Sequence, residues 1–168
     1  MTDPTPTVER AAFLKAMRQV AATVTVVTTD GPGGRVGATV SSFTSLSADP
    51  PLVLICLRAD SRIAHAVAEN GAFCVNVLPE DAAPVARIFA EPTPEDPETR
   101  FDGLGFIPAH HGPRLPRATV FACALTDHVL HSTHAICIGR VVALDVAGGE
   151  MPLAYLDGDY HLVRPQEG

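Results

Sequence analysis

Apolar positions along this chain fall mostly at strand spacing. Residues 23–29 and 36–47 are rich in Thr, Ser and Val, and the Asp30-Gly31-Pro32-Gly33-Gly34 turn between them predicts a hairpin. After Asp49-Pro50-Pro51, residues 52–57 are six apolar residues without alternation, the pattern of a strand buried on both faces. Residues 73–78, 119–130 and 135–146 read as further strands, and residues 153–163 as a hairpin around Asp157-Gly158-Asp159. Helical spacing is confined to short stretches. Residues 9–20 place Phe13, Met17 and Val20 on one face. Ser61 is placed to cap a second helix that stops at Asn70-Gly71. A third opens at Pro79-Glu80-Asp81 with Val85, Ile88 and Phe89 as its apolar face. Roughly seven strands with two or three short helices predict a mainly β chain, a closed or partly closed antiparallel barrel with helical additions.

Composition narrows the class. A chain of 168 residues suits one domain with a loose terminus over about residues 1–8. Apolar residues make up 46% and charged residues 18%, which argues against disorder. A formal charge of -7 without a basic stripe argues against a nucleic-acid partner and against anionic membranes. No apolar run approaches the roughly 20 residues of a spanning helix. The Met1-Thr2-Asp3-Pro4 start lacks the basic and apolar regions of a secretory signal, so a cytoplasmic location is expected. Cys56, Cys74, Cys123 and Cys137 lie apart in apolar stretches, as buried free thiols do.

Candidate chemistry is sparse. Residues 39–47 carry six hydroxyls in nine positions, uncharged partners for phosphate, flavin or ribityl oxygens. The same run also reads as an exposed strand in which Thr and Ser serve packing. Ser61-Arg62 at a helix start offers free N–H groups and a charged fork to a phosphate, or is an ordinary cap beside a solvated arginine. His128, His131 and His134 recur every three residues, but no acidic or thiol set completes a shell, and no metal is expected. The acidic, proline-rich residues 91–98 form an exposed loop or a lid. There is no nucleophile elbow and no Walker loop, and Gly31, Gly33 and Gly34 sit in a hairpin turn instead of a strand-to-helix dinucleotide turn.

The order Val24-Thr25-Val26-Val27-Thr28, Ser41-Ser42-Phe43-Thr44-Ser45-Leu46-Ser47, Asp49-Pro50-Pro51, Phe73-Cys74-Val75-Asn76-Val77-Leu78 and Ile138-Gly139-Arg140-Val141 resembles the flavin reductase-like, FMN-binding split-barrel family. That family includes the reductase components of two-component flavin monooxygenases. The likeness runs from about residue 13 to residue 163. It implies a Greek-key-like split β-barrel, usually dimeric, that moves hydride from NADH or NADPH to FMN or FAD and supplies a partner monooxygenase. By the resemblance, Thr39, Ser41, Ser42 and Phe43 lie along the flavin, with Ser47 near its ring and Cys56 facing it through backbone groups. Ser61 and Arg62 match the phosphate-binding helix start, and Phe89 and Arg100 lie at the phosphate end. His134 matches a histidine that contacts the nicotinamide nucleotide, and Tyr160 a late aromatic near the pocket. No side chain need act as acid or base, since the two rings carry the chemistry. Two departures stand out: Ala22-Thr23 where the family has Thr-Gly, and Ser132-Thr133 where its reductases have Gly-Asp. The second leaves open a flavin-binding electron carrier, or an oxidoreductase with its own organic substrate.

Overall fold

A computed structural model describes residues 6–166. The expected loose terminus therefore lies largely outside the described residues; residues 6–8 are exposed and without regular structure. In chain order the elements are α1 (Arg10–Met17), β1 (Ala22–Thr23), β2 (Thr25–Thr29), β3 (Val36–Val40), β4 (Phe43–Ala48), β5 (Pro51–Arg58), α2 (Arg62–Asn70) and β6 (Ala72–Val77). They continue with α3 (Ala83–Ala90), a 3-10 turn (Pro97–Phe101), β7 (Thr119–His131), β8 (His134–Asp145), β9 (Leu153–Leu156) and β10 (Asp159–Leu162). Seven strands form one sheet in the order β3-β2-β6-β7-β8-β5-β4, and β1-β9-β10 form a small second sheet. Every pairing between named strands is antiparallel. The architecture is the mainly β split barrel that the sequence predicts.

Several elements depart from the sequence reading. Residues 36–47 are two strands instead of one, broken at Ser41-Ser42, and the halves stand at opposite edges of the large sheet. β5 is buried on one face only: Val53, Ile55 and Leu57 are inside, while Leu52, Leu54 and Cys56 are half-exposed. Its unbroken apolar run reflects an outer face that is greasy without being covered. In α3, Ala86 and Phe89 are buried, whereas Ile88 points outward. α1 ends at Met17 and buries none of its residues; Phe13, Met17 and Val20 are all about half exposed. The described residues form ten strands where roughly seven are expected, because β1 separates from β2, β4 separates from β3, and the expected 153–163 hairpin counts as two. Other local signals hold. Ser61 caps α2 by accepting from the Ala64 N–H, and Gly71 ends it in the left-handed region at φ 66°, where a side chain is disfavoured.

Strands β2, β6 and the first half of β7 are covered on both faces. Val27, Val75 and Cys123 face the barrel interior with α2 behind them. Val26, Cys74 and Ala122 face α3, β9 and the segment 101–118. Asn76 fastens that segment to the sheet from inside the core. It is fully buried, donates to the Val26 and Pro113 carbonyls and to Thr28 Oγ1, and accepts from the Leu115 N–H at 2.7 Å. Thr28 Oγ1 also donates to the Pro113 carbonyl at 2.6 Å, so that pair survives the replacement of Asn76 with Ala, but the buried Leu115 N–H loses its acceptor and the Val26 carbonyl a donor, and urea unfolding should show a loss of about 3 kcal/mol.

Candidate functional site

An open cleft of about 670 Å³ lies where the two sheet edges approach each other. One wall is Ala38, Thr39 and Val40 of β3 with the Ser41-Ser42 corner. The other is Cys56, Leu57 and Arg58 at the end of β5, the start of α2, and residues 89–93 after α3. Arg100 and His134 complete it.

Most hydroxyls at the cleft serve the fold first. Thr39 Oγ1 donates to the Ala86 carbonyl at 2.6 Å and ties β3 to α3. Ser42 Oγ donates to the Cys56 carbonyl at 2.8 Å and accepts from the Cys56 N–H, which fixes the corner against β5. Ser61 Oγ donates to the Arg58 carbonyl while capping α2. Ser41 alone of these has no side-chain hydrogen bond among the described residues. Phe89, which lines the cleft, packs so closely on the backbone of β3 that a Cβ at Gly37 would sit 2.6 Å from its ring. That ring is one of three, with Phe101 and Phe106, packed edge to face at 5.1 to 5.5 Å.

Positive charge at the cleft comes from three arginines in different states. Arg62, at the start of α2, donates through Nη1 to the Pro94 and Glu95 carbonyls at 2.9 Å each. Arg100 is 9% exposed, donates through Nη2 to the Glu91 and Pro92 carbonyls, and lies 5.8 Å over the Phe89 ring. Its Nη1 is buried and has no hydrogen-bond partner among the described residues. Burial pulls its pKa below the ordinary arginine value, against the opposing effect of Glu91. Such an atom is costly unless an acceptor meets it. Arg58 is exposed and paired with Asp60 through two bonds at 2.8 and 3.1 Å, which hold the Asp60 carboxyl below its usual range.

Of the residues singled out in the sequence, Thr39, Ser41, Ser42, Cys56, Ser61, Arg62, Phe89, Arg100 and His134 gather around this cleft. Three do not. Phe43 packs at 5.3 Å from Phe121 and lines a smaller hollow of about 320 Å³ on another side. Ser47 sits at the far end of β4, opposite Leu52 and beyond a bulge. Tyr160 lies on β10 against Tyr155, with Arg87 over its ring at 5.1 Å. Sequence reasoning missed Arg58 and Asp60, and it read the 91–98 segment as an exposed loop or lid where residues 91–93 form part of the cleft wall. The signal for the first two was the charged Arg58-Ala59-Asp60 interruption between an apolar strand and a helix cap. His128 and His131 alternate to opposite faces of β7, and among the described residues no group of three His, Cys, Asp or Glu is placed to hold a metal.

The open seam of the split barrel, edged by hydroxyls and three arginines, suits an anionic ligand. Comparison with known proteins narrows the class. The FMN reductase (NADH) RutF of Ancylobacter novellus is 40% identical over 160 residues, covering 94% of this chain and 87% of that protein. BorF, the flavin reductase component of a bacterial two-component tryptophan halogenase, superposes with a TM-score of 0.85 at 30% identity, covering 94% of this chain and all of that one. Nitrilotriacetate monooxygenase component B from Mycobacterium thermoresistibile gives a TM-score of 0.84 at 30% identity, covering 95% and 89%. The profile of the flavin reductase like domain matches residues 17–164, and the chain belongs to that family.

The four cysteines are free, and they differ in environment. Burial pushes Cys74 and Cys137 up to about 11 and Cys123 up to about 12, from an ordinary 9.0. Cys56 is half-buried and lines the cleft. A thiol reagent at pH 8 should therefore modify Cys56 rapidly and the other three only on unfolding. Between about pH 9 and pH 11 the unfolded chain releases thiol protons that the folded chain retains, so stability should fall as pH rises through that window. Urea midpoints measured across it check the sign.

Proposed function

We propose that this chain is an NADH-dependent FMN reductase that hands reduced flavin to a partner flavin-dependent monooxygenase. The observation that carries the reading is Arg100: a guanidinium more than nine-tenths buried beside a polar cleft, with one nitrogen unmatched. A phosphate or ribityl oxygen is the acceptor that this nitrogen suits. The cleft has the volume of a cofactor site, and its walls combine hydroxyls, arginines and strand backbone.

Bound flavin supplies a ring that accepts hydride from the nicotinamide nucleotide. The chain's own residues supply position. Arg62 and Arg100, with the free N–H groups at the start of α2, would hold the phosphate end. Thr39, Ser41, Ser42 and the backbone around Cys56 would hold the polar edge of the ring and tail. His134, at the start of β8 across the cleft, would orient the nucleotide. No group need donate or remove a proton at the hydride step, so the contribution is alignment of two rings and exclusion of water.

The reading extends to assembly and place. A homodimer would cover the half-exposed Phe13, Met17 and Val20 and the greasy outer face of β5 and β8, where Leu52, Leu54, Ile136 and Ile138 are partly open. Within the dimer, Phe43, Ser47 and Tyr160 would complete the flavin environment. The described residues would work as a single domain. Four free thiols suit a reducing cytoplasm, and no helix is long and apolar enough to cross a membrane.

An anaerobic mixture of protein, FMN and NADH should lose its oxidised-flavin absorbance with many turnovers of added flavin. Parallel runs with FAD and NADPH rank the pairs, and flavin that stays bound and oxidised with both nucleotides would retire the reductase. Arg100→Gln should weaken FMN binding by about tenfold in a fluorescence titration. In a second test, Phe13→Asp with Met17→Asp should shift the sedimenting species from dimer to monomer; a wild-type monomer that reduces flavin would contradict the dimer.

A further inference from the structure

The reductase reading seats one phosphate, at Arg62 and Arg100, and leaves the third arginine of the cleft without a task. Arg58 differs from the other two. Their guanidiniums are committed to loop carbonyls, whereas Arg58 is held only by the side chain of Asp60, with both partners about 70% exposed. An ion pair that open to solvent contributes little, so an incoming anion displaces the carboxylate at small cost.

The backbone beneath Arg58 is fixed. Its carbonyl accepts from the Ser61 hydroxyl at 2.6 Å, and the next residue, Ala59, donates its N–H to the Thr133 carbonyl at 2.9 Å. That second bond locks the end of β5 to the β7–β8 turn. Arg58 and His134 are directly opposed in the β5–β8 ladder, so their side chains leave the sheet on the same face, with Cβ atoms about 5 Å apart. Both line the cleft. Thr133 Oγ1 lies 2.9 Å from His134 Nδ1, and Nε2 has no partner among the described residues. A planar fork and an imidazole nitrogen thus share one edge of the cleft, separated from Arg62 by the Ser61 cap.

We propose that Arg58 and His134 form a second anion seat, for the diphosphate of a dinucleotide, with the Asp60 carboxylate as the internal competitor that the diphosphate displaces. A diphosphate presents adjacent charged oxygens that match the two-bond geometry Asp60 now satisfies. Two ligands must meet ring to ring in this cleft, and each brings phosphate. Anion seats on the two sides of the Ser61 cap give each ligand its own arginine. The assignment of the diphosphate to the nicotinamide nucleotide rests on the reductase reading; the adenylate arm of FAD carries the same chemistry.

The test is calorimetric titration of the intact protein with ADP-ribose, FMN and FAD, in wild type, Arg58→Gln and Asp60→Asn. Neither substitution touches the core. ADP-ribose should bind about fivefold more weakly to Arg58→Gln and more tightly to Asp60→Asn, with FMN within twofold of wild type in both. Opposite signs at two neighbouring positions mark a charge-recognition site, which loss of local structure would not produce. Weakening of ADP-ribose assigns the seat to the nicotinamide nucleotide; weakening of FAD without FMN or ADP-ribose assigns it to the flavin's adenylate. Unchanged ADP-ribose and FAD affinities in Arg58→Gln, or shifts of the same sign in both variants, overturn the proposal. If wild type shows the ADP-ribose response yet reduces no flavin, the seat stands and the reductase reading falls. If wild type reduces flavin while Arg58→Gln keeps its KM for NADH and its FAD affinity, the seat falls and the reading stands.

Discussion

Two residues, Ser41 and Ser42, constrain the whole molecule. They join β3 to β4, which stand at opposite edges of a seven-stranded sheet. Laid flat, those edges would be about 29 Å apart at the usual strand spacing. Two residues reach about 7 Å. The sheet must therefore roll until its edges nearly meet. It does not close, because the corner residues are not paired strand to strand. Ser42 instead turns its carbonyl and hydroxyl to the Cys56 backbone. The gap left at the seam is the cleft, so topology and binding site have one cause.

That cause explains what the sequence showed and what it hid. Turn chemistry was readable: the glycines after Asp30, Ser61 as a cap, Gly71 as a stop, and Asp157-Gly158 at a hairpin tip all act locally. The break at Ser41-Ser42 was not, because hydroxyl residues suit a continuous strand equally well and only the distant pairing of β3 and β4 separates them. The same limit applied to β5. Six apolar residues in a row predict two covered faces, yet only the inner face meets the barrel's own core. For the site, pattern gave residue types and the family resemblance gave their grouping. What neither gave was the occupation of the side chains: that Thr39, Ser42 and Ser61 are already hydrogen-bonded within the fold. Arg58 and Asp60 went unseen because a charged pair at a strand end looks like ordinary solvated surface.

Charge is distributed with economy in a chain of net charge -7. Three of its arginines meet at one cleft, and each is restrained differently: by carbonyls at the surface, by carbonyls and an aromatic ring in the interior, and by a carboxylate in solvent. Arg62 and Arg100 also organise the segment 91–95, whose carbonyls they gather from two sides. The acidic, proline-rich stretch is therefore a braced wall of the site.

Among the described residues the cleft opens to solvent along its seam. Entry and departure then require no element of the protein to move. Residence time is set by how many polar contacts break at once, without the wait for a gate. A ligand in a cleft of this shape is held by its contacts alone, which favours quick exchange over storage. Speed of handover, more than tightness of hold, is the property that an unclosed barrel confers.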